Sequence, residues 1–322
     1  MKPIGHGSAR PFLVRLGSHA ALLQGRMLVR PVLPPERPAL QALLLQDPLP
    51  NLFLLSLIEQ EAVVGESPRG TFYGLWEEQL TRPGTPRREL AATVYVSPTG
   101  LVVPWCPWIE HAAVLGRHIA QIHTTQLLIG PRADCDALFR AGDRSEVVRT
   151  HYDQRLYVAR EVSPGPVIPG LRKASEDDLR DLAAFSSRMM LEDLGFDPAV
   201  HNPRGHLAAV SRRIREGRTW VVEHDGRLIF KIDLGSACSQ GAMLGGTYVL
   251  PSLRQQGLCG RAMRGVLIDL LATHPCVTLH LNEANTPAVG CYERAGFQRD
   301  IAMRLMVLEP SYQTSTQPRT TS

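Results

Sequence analysis

The stretch Thr247–Gly260, TYVLPSLRQQGLCG, restricts the possible folds more than any other part of the chain. Tyr248, Val249 and Leu250 favour a strand. Pro251 stops the ladder because it has no N–H to donate. Arg254 to Gly260 then forms a glycine-bearing loop, and Arg261 to Leu271 continues as an apolar-periodic helix. Backbone N–H groups at such a loop and at the first helical turn converge, and the helix dipole adds partial positive charge. The result is a concave donor site that suits a pyrophosphate. Taken by itself, the same pattern also fits an ordinary strand-to-helix turn.

The stretch His280–Phe297, HLNEANTPAVGCYERAGF, decides between these. Thr278 to Asn282 alternates as a strand does. Asn285 is a good N-cap for a helix with Pro287 in its first turn, and Gly296 ends that helix before Phe297 resumes a strand. Together the two stretches resemble the coenzyme-A site of the GNAT superfamily of N-acetyltransferases. The family loop, Gln/Arg-x-x-Gly-x-Gly/Ala, is met at Arg254 and Gly257, while Cys259 replaces the usual Gly/Ala with Gly260 next to it. The later signature, Asn-x-x-Ala-x-x-x-Tyr-x-x-x-Gly-Phe, is met at Asn285, Ala288, Tyr292, Gly296 and Phe297.

The resemblance implies an acetyl-CoA-dependent N-acetyltransferase acting by direct attack of a primary amine in a ternary complex. It implies that the strand Thr247 to Val249 splays from the strand Thr278 to Leu281, with the pantetheine arm in the opening beside Tyr248, Val249 and Leu250. The N–H of Val249 or Leu250 would face the oxyanion. Gln255, Gln256, Gly257, Leu258, Cys259 and Gly260 would cradle the pyrophosphate, with Arg254 or Arg261 adding charge. Asn285 would bond the arm or cap its helix, or both.

Tyr292 is the candidate general acid, since a phenol suits a departing thiolate; the alternative is packing against the arm. His280 is a candidate base because a histidine pKa is ordinarily poised near neutrality. Glu192 and Asp233 are its rivals, with Asp193 and Glu223 further off; Asp233 points opposite to its strand neighbours Ile232 and Leu234. The alternative from another class is a non-catalytic acyl-CoA-binding regulatory protein.

At 322 residues the chain suits two cores. Ser163–Gly170, SPGPVIPG, is the clearest linker. The expected parts are an extension at 1–26, a domain at 27–162, the linker at 163–170, the catalytic domain at 171–310 and a flexible tail at 311–322. The opening Val29-Arg30-Pro31-Val32 and its helix parallel Leu171-Arg172-Lys173-Ala174 and its helix. After Leu101 to Trp105 there is Cys106-Pro107-Trp108 and no glycine loop. The expected fold is therefore mixed α+β: two tandem GNAT-like domains, each a twisted, mostly antiparallel sheet flanked by helices, the first degenerate. The alternatives for the first domain are an unrelated α+β domain or a module that presents a substrate.

A net charge of +4 without a Lys/Arg block does not argue for nucleic acid. No apolar run is long enough for a bilayer, and no signal peptide is read. Six cysteines without a Cys-x-x-Cys pair argue against a metal site and for free thiols, hence a cytoplasmic location. The acceptor stays open among amino acids, small amines, antibiotics, protein N-termini and lysines, and so does the oligomeric state.

Overall fold

The structure, a computed structural model, describes residues 27–60, 67–80, 86–142 and 145–310. The expected extension and tail lie outside the described residues. The first half runs β1 (Met27–Pro31), α1 (Arg37–Leu44), α2 (Leu52–Glu59), β2 (Thr71–Leu80), β3 (Pro86–Val96), β4 (Leu101–Trp105), α3 (Ile109–Ile122), β5 (Leu127–Pro131), α4 (Arg132–Ala141) and β6 (Glu146–Ala159). The second half repeats this order: β7 (Leu171–Lys173), α5 (Leu179–Leu194), α6 (Pro198–His201) with α7 (Pro203–Arg215), β8 (Thr219–His224), β9 (Arg227–Cys238), β10 (Gly241–Val249), α8 (Leu258–Leu271), β11 (Val277–Asn282), α9 (Thr286–Ala295) and β12 (Gln298–Pro310). Apart from the extra turn of α6, the halves match element for element.

The described strands form one sheet in the order β1-β2-β3-β4-β5-β12-β6-β11-β10-β9-β8-β7. Neighbours are antiparallel except β4–β5 and β10–β11, which are parallel. The order is symmetric about its centre. Strand β6, last of the first half, pairs with β11 of the second. Strand β12, last of the second half, pairs with β5 of the first. The halves have exchanged their final strands, which also pair with each other. The segment 163–170 packs onto the second half: Ser163 N–H donates to the Ala295 carbonyl, Arg264 Nε donates to the Ser163 carbonyl, and Ile168 is buried.

Helices cover both faces of each half. The apolar stripe of α1 and α2 buries Leu40, Leu44, Leu54 and Ile58 against Phe72 and Tyr95. Helices α3 and α4 bury Leu115, Ile119 and Leu138 on the other face. In the second half α5 and α7 pack Phe185, Val210 and Ile214 against Val221 and Tyr248. Helices α8 and α9 bury Met263, Val266, Leu267 and Tyr292 in the largest core. Local chemistry sets the ends: Asp178 reaches back to the Ser175 N–H at 2.7 Å, and Gly195 closes α5 in the left-handed region. Asp225 and Gly226 both have positive φ, as a two-residue hairpin requires.

Candidate active site

Strand β10 opens the site through two features. The first is a bulge. Gly245 pairs with Asp233 and Tyr248 with Lys231, so Gly246 and Thr247 together oppose only Ile232. Gly246 takes φ +62, the left-handed conformation that such a bulge uses. A side chain there would meet Asp233 Oδ2 at 2.7 Å and Lys231 Nζ at 3.3 Å. The second feature is the end of pairing. Strands β10 and β11 run together only from Ala242–Val277 to Leu244–Leu279 and then part.

Register decides which backbone groups face the opening. Leu250 N–H donates to the Ile229 carbonyl at 3.1 Å. Bonded and non-bonded positions alternate in an antiparallel pair, so Val249, opposite Phe230, turns its N–H and C=O away from β9. Arg254 Nε donates to the Val249 carbonyl at 3.1 Å. The expectation that Val249 or Leu250 offers its N–H thus resolves to Val249, because Leu250 is spent in the sheet. The Tyr248 side chain lies on the opposite face, buried 5.0 Å from the Phe185 ring.

The loop beyond has the expected build. Gln255 and Gly257 both have positive φ, at +62 and +75, and Gly257 is the N-cap of α8. The loop from Arg254 to Gly257 is exposed, and a Cβ on Gly257 would have no atom within 4 Å. No side chain caps this helix. The N–H groups of Leu258, Cys259 and Gly260 precede the first intrahelical bond, Arg261 N–H to the Gly257 carbonyl at 3.3 Å. Gln256 Nε2 donates to the Ser252 carbonyl at 3.0 Å, which fixes the loop from within. Arg254 is held by Glu192, at 2.8 Å, and by Val249.

Tyr292 is buried on α9, edge-on to Phe297 at 5.8 Å, with Thr247 near its hydroxyl. Burial raises its phenol well above the ordinary value, so the proton stays on oxygen throughout the physiological range. Cys259 and Cys291 lie beside it, and the interaction of the two thiols raises Cys259 and lowers Cys291. Asn285 caps α9, its Oδ1 accepting from Ala288 N–H at 3.2 Å.

The candidate bases separate. Leu279 and Leu281 pack in the core beneath α8 and α9, so His280 turns to the other face of β11. Burial lowers its imidazole to about 4, which corrects the expectation of a pKa poised near neutrality. Glu192 is exposed and tied to Arg254. Glu223 is drawn away to Arg172 at 2.6 Å. Asp233 is buried, accepts from Lys231 Nζ at 2.6 Å and from Thr219 Oγ1 at 2.7 Å, and lines a cavity of about 470 Å³ between α5, α7, β9 and the β10 bulge. Its partner Lys231 is almost wholly buried, and burial lowers the ammonium. Lys231 was not singled out from the sequence, although a lysine inside Ile229-Phe230-Lys231-Ile232, two residues from an aspartate, places both on one strand face.

The comparisons with known proteins fit this geometry. Residues 186–297 match the family model "Acetyltransferase (GNAT) family". That segment holds the bulged strand, the glycine loop and Tyr292. Residues 186–297 are a GNAT acetyltransferase domain. The overall fold is similar to a Drosophila protein at 17% identity and TM-score 0.60, covering 88% of this chain and 99% of that one. It is also similar to a GCN5-related N-acetyltransferase from Sphaerobacter thermophilus at 14% identity and TM-score 0.55, covering 88% and 95%. A GNAT-family acetyltransferase from Colwellia psychrerythraea matches at 14% identity and TM-score 0.51, covering 88% and 100%. In sequence, the chain matches none of the curated proteins compared with it.

At the corresponding place the first half is built differently. Strands β4 and β5 also part, after Val102–Leu128. There, however, Pro104, which has no N–H, and Cys135 crowd Gly130, at 3.1 and 3.3 Å from its Cβ position. Helices α3 and α4 close over them at Gly116, where a Cβ would meet the Leu138 carbonyl at 2.2 Å. Buried Asp134, raised by burial to about 7, accepts the Cys106 N–H at 2.9 Å where a glycine loop would begin.

Proposed function

We propose that the second half is an acetyl-CoA-dependent N-acetyltransferase that acetylates a primary amine by direct attack. The observation that carries this is the conjunction at β10. The strand parts from β11, turns the Val249 backbone into the opening, and runs through an exposed left-handed Gly257 into the uncapped start of α8. These groups fit an extended amide arm followed by a pyrophosphate: backbone donors and acceptors for the first, three N–H groups and a helix dipole for the second. Gly257, with nothing within 4 Å of its Cβ position, leaves room for close approach.

Acetyl-CoA, when bound, supplies the acetyl group as a thioester. The chain's own residues then have distinct tasks. Val249 N–H is the donor placed for a developing oxyanion, an interaction worth about 3 kcal/mol in related chemistry. Tyr292 holds its proton on the phenol oxygen and is the donor to a departing thiolate. Asp233 Oδ2, beneath the bulge and in the cavity, accepts the amine proton. His280 is not among the residues that line that cavity.

Assay of acetyl transfer to a panel of primary amines tests the reading. Tyr292→Phe should lower kcat by about 10²- to 10⁴-fold with little change in acetyl-CoA affinity, since the ring still packs on Phe297. Binding of acetyl-CoA with no turnover of any amine would instead make the chain an acyl-CoA-binding protein. A near-normal kcat in Tyr292→Phe would leave the tyrosine a packing role.

A further inference from the structure

The cavity beside the β10 bulge carries a charge imbalance that no task above requires. Four cationic side chains line it, Lys231, Arg212, Arg213 and Arg218, against two carboxylates, Asp233 and Glu216. Each carboxylate is shared by two cations: Asp233 by Lys231 and Arg213, and Glu216 by Arg212 and Arg218. By formal charge the lining holds two more cationic than anionic side chains; Arg212 and Glu216 stand largely in solvent, so the excess at the enclosed end rests on Arg213, and it favours an anion.

The cations are not equally committed. Lys231 donates to Asp233 at 2.6 Å, and Arg218 donates to the carbonyls of Leu234 and Gly235. Arg213 reaches Asp233 only at 3.7 Å, beyond hydrogen-bond length, with its side chain 31% exposed. A guanidinium is a planar fork that matches a carboxylate in two parallel bonds. Ser186 on α5 also lines the cavity; it is 3% exposed, and its hydroxyl has no partner. A buried hydroxyl that is left unpaired at a cavity wall is a ready donor to a ligand. Met189, Met190, Pro198 and Ala209 give the wall an apolar stretch, with His206, tied to the Ala183 carbonyl at 2.9 Å, beside it.

We infer that the acceptor is an amino acid or similarly small amine that carries a carboxylate, with its amine directed to Asp233 under the β10 bulge, its carboxylate to Arg213 and Ser186, and an apolar side chain along Met189 and Met190. This rests on the reading of the site as an N-acetyltransferase. A cavity of about 470 Å³ holds a molecule of that size. The same charge balance repels polyamines and other polycationic acceptors.

The test uses the full chain and pairs of probes: L-methionine, L-leucine and L-phenylalanine, each against its carboxamide. Binding is measured by calorimetry without acetyl-CoA, and acetyl transfer is measured separately. At least one free acid should bind about tenfold or more tighter than its amide, the usual range for a charge-assisted bond. Arg213→Gln should abolish the difference, Arg213→Lys should restore part of it, and Ser186→Ala should reduce it. Arg215→Gln, on the exposed side of the same helix, should leave it intact. Equal affinities for acid and amide, no binding of any free acid, or a preference that survives Arg213→Gln would overturn the inference. The two readings fail separately. A carboxylate preference without acetyl transfer retains the anion site and removes the transfer reading, whereas equal transfer to acids and amides does the reverse.

Discussion

His280 shows how a single residue's surroundings change what its identity promises. Burial holds its imidazole at about 4, against 6.5 when solvated. The unfolded chain therefore takes up a proton on this residue between about pH 6.5 and 4, and the folded chain does not. Stability present above 6.5 is lost as pH falls through that window, by up to about 3 kcal/mol. His280→Gln removes the titration. Thermal melts at pH 7 and 4.5 should show a smaller acid loss in the variant than in the wild type; equal losses would mean that the imidazole is not buried in solution. The residues of the loop, Arg254 to Gly260, were legible in the sequence because they are consecutive and their backbone demands are local. The choice of Val249 over Leu250 was not, because it depends on the register with β9. Ser186, Arg213 and Lys231 were not legible either: three separate elements bring them to one cavity, and each reads in isolation as a surface or core residue.

Elements were legible where their signals are local. The cap at Asn285 and the end of its helix at Gly296 follow from spacing and turn chemistry. The exchange of β6 and β12 leaves no local mark, since an alternating strand pattern does not say which edge it joins. It has a mechanical consequence. Strand β11 borders β6, and only through β6 does the second half's sheet reach its own last strand, β12. A fragment of residues 163–310 exposes the unpaired edge of β11 and strands β12. It should show no cooperative thermal transition by circular dichroism, whereas a fragment of residues 146–310, which restores β6, should recover one. A cooperative, native-like melt of the shorter fragment would show that the exchanged strand is dispensable.

At the scale of the whole molecule, two copies of one element order share a sheet, and the copies differ where their parallel strands part. In the first half, Pro104 and Cys135 crowd Gly130, and α3 approaches α4 closely at Gly116. The sequence marks the same difference through the absence of a glycine loop after Trp105. We propose one acetyl-CoA site per chain, at the start of α8. Gly257→Glu is the sharp probe, because its side chain has room in the free protein and places a negative charge among the donors, at a cost of about 1 kcal/mol for the left-handed backbone. Calorimetric titration of acetyl-CoA into the full chain should give one site per chain, and the Gly257→Glu protein, folded by its melt, should show no binding. Two sites per chain, or undiminished affinity in the variant, would contradict the account.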